Sequence, residues 1–310
     1  MNINILQGDC IETLKQLKDK SINTCITSPP YWGLRNYNDE EKQLGMEDTP
    51  EEFVENLVKV FREVKRVLRD DGTVWLNLGD SYSSGGRNTT TNQTLRGDKD
   101  YGVTRPKPSK GIKPKDLIGI PWRVALALQQ DGWYLRQDII WHKPNPMPES
   151  VKDRCTKAHE YIFLLSKNVK YYFDNEAIKE DSKSAGKKSA GFKGRQGGAE
   201  YHATGGGIGS EEKVYNKKNK RSVWTITTKP FKGAHFATFP MDLIDPCVLA
   251  GCPEGGTVLD PFGGSGTTGI VAVNHNRNAT LCELNKEYIE IAKKRIEEQA
   301  GMLANVEVLK

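Results

Sequence analysis

Apolar and polar positions alternate along this chain in short runs of two periods. Ile3 and Ile5 alternate with polar neighbours, which predicts a short strand ending at Gly8-Asp9, and Ile11, Leu14 and Leu17 then recur at helical spacing. The run 22–26 reads as a buried strand. Strand, helix and strand make a βαβ unit, whose strands are expected to be parallel. Thr49-Pro50-Glu51-Glu52 has the form of a helix start, with a capping hydroxyl, a proline in the first turn and acids at the positive end of the dipole. Phe53, Leu57, Val60, Phe61, Val64 and Leu68 then share one face. Asp70-Asp71-Gly72 should stop that helix, and 73–78 is the next buried strand. A helix is predicted over 117–130, with Trp122, Ala125, Leu126 and Leu128 as its apolar surface. Strands follow over 134–141 and 160–165, then a helix at 239–250, a strand at 256–260, a helix at 267–273, a strand at 279–282 and a helix at 288–296. This is an α/β pattern: a doubly wound, mostly parallel sheet with an antiparallel hairpin.

Two stretches break the pattern. Residues 81–116 hold 8 Lys/Arg against 3 Asp/Glu and almost no apolar side chains, so they are expected to form a mobile insertion. Residues 175–233 are again rich in glycine and lysine, with sparse aromatics at Phe192, Tyr201, Tyr215 and Trp224, and read as a separate recognition segment. Charge sharpens this division. Residues 179–232 carry 13 Lys/Arg and 5 Asp/Glu, a balance of +8, whereas the whole chain is only +5, so the remainder is −3. Positive charge concentrated on a nearly neutral body suits a polyanion partner, although solvated basic loops look the same.

The candidate chemistry begins where the strand 22–26 meets Thr27-Ser28-Pro29-Pro30-Tyr31-Trp32. Two consecutive prolines cannot continue a sheet, because neither has a backbone donor and both φ angles are fixed. A stiff turn results at the C-terminal end of a strand, the edge where open α/β sheets bind ligands. It offers the Ser28 hydroxyl, the Pro29 carbonyl and the Tyr31 ring, with Trp32 beside them. Two acceptors next to an aromatic face describe a site for a flat molecule bearing an NH₂ group, such as a nucleobase. The same six residues would also serve as a rigid loop with its aromatics in the core.

A second motif decides between these readings. Val258-Leu259-Asp260-Pro261-Phe262-Gly263-Gly264-Ser265-Gly266-Thr267-Thr268-Gly269 is a glycine turn between a strand and a helix, and Glu283 ends the next strand. Glycines permit close backbone approach, and an acid at the following strand end can accept from both ribose hydroxyls, so an adenosine cofactor is expected. Gly264, Gly266 and Gly269 satisfy the dinucleotide pattern, but Asp260 stands where a pyrophosphate needs positive potential, and too little chain follows for a dinucleotide domain. S-adenosylmethionine carries an amine and a sulfonium instead, which an acid suits. The third strand of that half must come from the N-terminal unit ending at Asp9, so the chain reads as circularly permuted, with its termini close together.

This pair of motifs, in this order, resembles the β-class amino DNA methyltransferases, in which the catalytic region precedes the cofactor region. The resemblance implies a Rossmann-like, S-adenosylmethionine-dependent fold with a catalytic region at 1–174, a target-recognition segment at 175–233 and a cofactor region at 234–310. It implies that Ser28, Pro29, Pro30 and Tyr31 are catalytic, and that Trp32, Trp141 and His142 line the base pocket. It makes Asp9 the adenine acid and Glu283 the ribose acid. Asp260, Phe262, Gly264, Gly266 and Thr267 form the loop beside the methionine moiety, and Phe239 and Pro240 close the 235–240 segment that holds its far end. Ser at position 28 favours cytosine N4 as acceptor, with adenine N6 as the alternative. Duplex DNA is the implied substrate, and a companion restriction endonuclease a possible partner; an RNA or small-molecule methyltransferase, or a non-catalytic DNA-binding protein, are competing classes.

The rest of the composition excludes more than it adds. Cys10, Cys25, Cys155, Cys247, Cys252 and Cys282 form no C-x-x-C pair and match no His spacing, so reduced thiols and no metal are expected. Pro246-Cys247 lies in a predicted helix, which disfavours chemistry at cytosine C5. No apolar run could span a bilayer and the N-terminus lacks a signal-peptide pattern, so a cytoplasmic protein is expected.

Overall fold

In the computed structural model, which describes residues 1–33, 43–83, 112–182, 216–228 and 239–309, the chain forms two units: Met1–Asp174 with Ser222–Lys310, and Asn175–Arg221. The strands of the first unit are β1 (Asn2–Gln7), β2 (Ile22–Thr27), β3 (Leu68–Leu78), β4 (Tyr134–His142) and β5 (His159–Ser166), then β8 (Val223–Thr225), β9 (Thr257–Asp260), β10 (Asn278–Glu283) and β11 (Asn305–Leu309); β6 (Glu180–Asp181) and β7 (Lys217–Lys218) belong to the second. The nine strands of the first unit lie in the order β11-β1-β10-β9-β2-β3-β5-β4-β8. Every neighbouring pair is parallel except those of β5, which runs against both β3 and β4. The expected hairpin of two strands is therefore β4 and β5.

Side chains alternate across this sheet as a two-residue period requires. Cys25, Val74, Leu76 and Phe163 face a core filled by Phe53, Leu57, Phe61 and Val64 from α2 (Pro50–Val67), all fully buried. α1 (Cys10–Lys15) and α3 (Ile120–Gln130) pack on either side of α2. The other face carries α4 (Met241–Gly251), α5 (Thr267–Asn274) and α6 (Lys286–Ala300). There Gly251 lies against the Trp75 indole, and Gly269 against Leu281 and Ile296.

Several expectations need correction. β1 and β2 are parallel as expected, with β10 and β9 between them, but other boundaries shift. α2 ends at Val67, and Leu68 already enters β3; the acids at 70 and 71 lie in an irregularity where pairing jumps from Ile22↔Leu68 to Thr24↔Thr73. α3 starts at Ile120 rather than 117, since Gly119 sits at φ +79° and Leu117 bridges to Tyr82. Its buried side is Ile120, Val124, Ala125 and Leu128, while Trp122 and Leu126 are 39% and 47% exposed. Residues 84–111 of the expected insertion lie outside the described residues, but its ends are tied together by Ser83 N to Asp116 O (2.8 Å) and Lys115 N to Ser83 O (3.1 Å). Trp224 belongs to the first unit, 5% exposed on edge strand β8, beside Trp75.

The first and last strands lie side by side, as the permutation requires. β1 pairs with β10 on one side and with C-terminal β11, which the sequence pattern did not reveal, on the other. The Met1 ammonium donates to Leu303 O at 2.8 Å. In the second unit, β6 and β7 pair antiparallel, and Glu180 lies 3.6–3.9 Å from Lys218, Lys220 and Arg221. Among the described residues, no helix is long and apolar enough to cross a membrane, and no cluster of His, Cys, Asp or Glu could hold a metal.

Candidate active site

Strand order reverses between β9 and β2, so the loops leaving their C-terminal ends diverge above a crevice. β2 and β9 pair through Thr24↔Val258 and Cys25↔Leu259, which brings residues 27–31 and 260–266 to the same edge. Asp260 fastens them together. Its Oδ1 accepts from Thr27 Oγ1 at 2.6 Å and Phe262 N at 3.1 Å, and its Oδ2 from Thr268 Oγ1 at 2.6 Å. The carboxylate is 2% exposed, and burial raises its pKa against the lowering effect of the two threonine hydroxyls. Expected beside the methionine moiety, Asp260 acts in this structure as the bolt between the two loops.

The glycine loop is fixed from several sides. Gly263 N donates to Cys282 O and Gly264 N to Glu283 Oε2, both at 2.8 Å. Glu283 Oε1 accepts from Asn285 N at 2.8 Å, and burial raises the pKa of this carboxyl group too. Gly8 N reaches Glu283 O at 3.0 Å, so the ends of β1 and β10 meet and Asp9 stands close to Glu283. Asp9 is also the N-cap of α1, its Oδ1 accepting from Ile11 N and Glu12 N at 3.0 and 3.1 Å.

The glycines divide by what surrounds them. A Cβ on Gly266, at φ +79°, would lie 2.9 Å from Ala292 Cβ, and one on Gly263 2.9 Å from Leu281 Cβ. These two glycines serve packing. Gly264, at φ +49°, meets nothing nearer than 3.8 Å, so its face is open. Thr267 is buried at the start of α5, with Arg295 Nη1 3.4 Å from its hydroxyl. An open backbone face between two acid-ended strands fits an adenosine with a cationic tail and suits a pyrophosphate poorly.

On the other side of the crevice, Ser28, Pro30 and Tyr31 are half-buried and Pro29 is buried. The Tyr31 ring lies against Gly79, where a Cβ would stand 2.6 Å from Cε2. Its hydroxyl donates to Glu160 Oε2 at 2.8 Å, with Asn77 Oδ1 at 3.3 Å. Trp32 departs from expectation: it is in the core, 5% exposed, its indole N–H on Glu47 O at 2.9 Å. Trp141 is also buried, at 4%, and donates to Ile226 O, while its ring carries Lys143 Nζ at 4.1 Å; it backs the site instead of lining it. His142 Nδ1 lies 3.2 Å from Thr225 Oγ1. Phe239 joins Thr27, Trp75, Asn77 and Leu243 around a narrow cleft, and Pro240 caps α4; residues 235–238 lie outside the described residues.

Thr27, Asn77, Glu160 and Thr268 are the site residues that sequence reasoning missed. Thr27 and Thr268 stood inside the two motifs and had a signal, since a hydroxyl flanks each. Asn77 and Glu160 had none, because their partners lie 46 to 129 positions away. Cys247, by contrast, is core as read, 1% exposed within α4.

A doubly wound sheet with acids ending two strands, a glycine loop after a third, and a Ser-Pro-Pro-Tyr turn across the reversal of strand order has the architecture of the permuted amino-methyltransferases. The chain belongs to this class by descent as well: it is a member of the family described as DNA methylase, whose profile matches residues 22–294. It is 47% identical to the type II methyltransferase M.Cfr9I of Citrobacter freundii over 293 residues, covering 94% of this chain and 87% of that one. With M.SmaI of Serratia marcescens the identity is 49% over 295 residues, 94% of this chain and 90% of the relative. Among solved structures, the PvuII DNA methyltransferase, described as cytosine-N4-specific, shares the fold at TM-score 0.63 and 19% identity, covering 100% of this chain and 96% of that one. A putative DNA modification methylase of Thermus thermophilus, complexed with S-adenosyl-L-methionine, does so at TM-score 0.64 and 23% identity, covering 99% and 98%.

Proposed function

We propose that this protein transfers a methyl group from S-adenosylmethionine to the exocyclic N4 of cytosine in duplex DNA, after rotating the base out of the helix. The observation that carries the reading is the 2.6 Å bond from Thr27 to Asp260, which holds the Ser-Pro-Pro-Tyr turn against the glycine loop. When bound, the cofactor supplies an electrophilic methyl carbon on a sulfonium. Asp9 and Glu283 are the acids for its adenine and ribose, with the open face of Gly264 between them.

An exocyclic amine is a poor nucleophile because its lone pair is delocalised into the ring. Ser28 Oγ and the Pro29 carbonyl would accept its two hydrogens, drawing the nitrogen towards tetrahedral geometry. On gaining the methyl group, with the donor left as a neutral thioether, the nitrogen would shed one of those protons by way of Ser28 Oγ to solvent. Orientation supplies most of the acceleration. Extruding the base costs a few kcal/mol. Stacking on Tyr31 returns about 1–3 kcal/mol. Phosphate contacts must add to this, and the basic stretches at 81–116 and 175–233 are the candidates, the latter also for target recognition. Ser at 28 favours N4 of cytosine over N6 of adenine. Membership of the type II family suits a role beside a restriction endonuclease and a cytoplasmic location.

Incubation with diverse duplex DNA and methyl-labelled cofactor, followed by digestion to nucleosides, should yield labelled N4-methylcytosine. N6-methyladenine would move the acceptor to the alternative base. No label in DNA would overturn the assignment.

A further inference from the structure

We propose that Glu160 is the positioning residue for Tyr31, fixing the plane of the ring on which the extruded base stacks. The inference rests on that stacking reading and adds to it a residue that touches neither base nor cofactor. Glu160 is on β5, opposite Trp141 of β4, so a rigid strand pair sets its backbone. Oε2 takes the Tyr31 hydroxyl at 2.8 Å and Asn77 Nδ2 at 3.2 Å, and Oε1 takes Lys143 Nζ. Asn77 is itself held, donating to Tyr161 O at 3.1 Å. Lys143 is held by its seat over the Trp141 ring.

This brace runs from a buried tryptophan through an ion pair to the far end of the tyrosine. Along the same edge, at Cε2, Cδ2 and Cζ, the ring lies so close to Gly79 that a Cβ there would stand 2.6 to 3.2 Å away. A hydrogen bond at the hydroxyl and a backbone packed on the adjoining ring edge together leave the ring little freedom to tilt. The Lys143 and Glu160 side chains are only 18% and 15% exposed, and sequestering an ion pair from water commonly costs more stability than an apolar pair would. A positional role accounts for keeping it. Stacking alone asks only for an aromatic face, which Phe would supply; the hydroxyl is required only if something must hold it.

Kinetics on unmethylated phage DNA tests the brace, with the wild type's own amino-methylation as the control that keeps failure of the brace separate from failure of the proposed function. Tyr31→Phe and Glu160→Ala should each lower kcat about 10- to 100-fold, the scale of a small misplacement. Affinity for the cofactor should stay within about twofold, since neither residue faces its loop. Because Tyr31→Phe removes only the hydroxyl link while Glu160→Ala also releases Asn77 and Lys143, the double variant should be no slower than Glu160→Ala alone. Glu160→Gln, which keeps an acceptor for the hydroxyl, should recover most of the rate. Losses that multiply in the double variant, or wild-type kcat for Tyr31→Phe, would overturn the proposal. If Glu160→Ala fails to fold, the Tyr31→Phe and Glu160→Gln rates decide alone.

Discussion

Asp260 holds three hydrogen bonds on a nearly inaccessible carboxylate, and its replacement separates architecture from ligand binding. Asn has one acceptor oxygen, so Asp260→Asn faces an NH₂ towards a hydroxyl that had donated, at a cost of about 1–3 kcal/mol. The wild type's pKa direction sets a pH test. Burial raises the folded-state pKa, so the folded chain binds this proton more tightly than the unfolded chain, and the associated stability is present in acid and lost as pH rises through the folded pKa. The difference in Tm between wild type and Asp260→Asn should therefore widen as pH falls through the raised folded-state pKa towards the ordinary carboxylate range; a gap that narrows would contradict it. The glycines give a second residue-scale test. Gly266→Ala collides with Ala292 and should destabilise the fold by about 1–3 kcal/mol of overpacking, read as a lower Tm. Gly264→Ala has room but strains a backbone at φ +49°, so it should cost about 1 kcal/mol of stability and, beyond that, lower cofactor affinity, measured by calorimetry. The motif residues were legible because proline, glycine and acid at strand ends are local signals. Glu160 and Asn77 were not, since what defines them is a partner from a distant strand, and Trp32 was misjudged because an aromatic beside a turn reads alike whether it faces cleft or core.

At the level of elements, α2 shows how far local chemistry reaches. Thr49 Oγ1 accepts from Glu52 N at 3.2 Å, Pro50 opens the helix, and the predicted face is fully buried. Thr49→Ala should cost about 1 kcal/mol, seen as a lower denaturation midpoint with methylation unchanged. Boundaries were less legible. Gly72 looked like a helix stop, but the break comes earlier, where Leu68 turns extended to pair with Ile22. α3 begins where Asp80, 39 and 40 positions upstream, accepts from Gly119 N and Ile120 N, a tertiary cap invisible in a local window. β11 escaped because five alternating residues at a chain end carry little signal until β1 is seen to need a partner.

The whole molecule is organised by the permutation, which was legible because the glycine motif lies so late that its half lacks a third strand. The prediction that the termini are near is met with a qualification: β11 runs parallel to β1, so Leu309 lies beside Leu6 rather than beside Met1. Joining the ends must span about five strand rises, roughly 17 Å. A variant with Lys310 linked to Met1 through about ten Gly/Ser residues and new termini between 84 and 111 should fold and bind the cofactor. A linker of about two residues is too short for that span and should not allow folding.

The crevice itself is tested most directly by a crystal structure with S-adenosylmethionine bound. Adenine should lie near Asp9, the ribose on Glu283, and the sulfonium methyl should point past Gly264 towards Ser28 and the Pro29 carbonyl, leaving room for a base against Tyr31. A cofactor seated elsewhere, or a methyl group walled off from the Ser-Pro-Pro-Tyr turn, would contradict the proposed transfer.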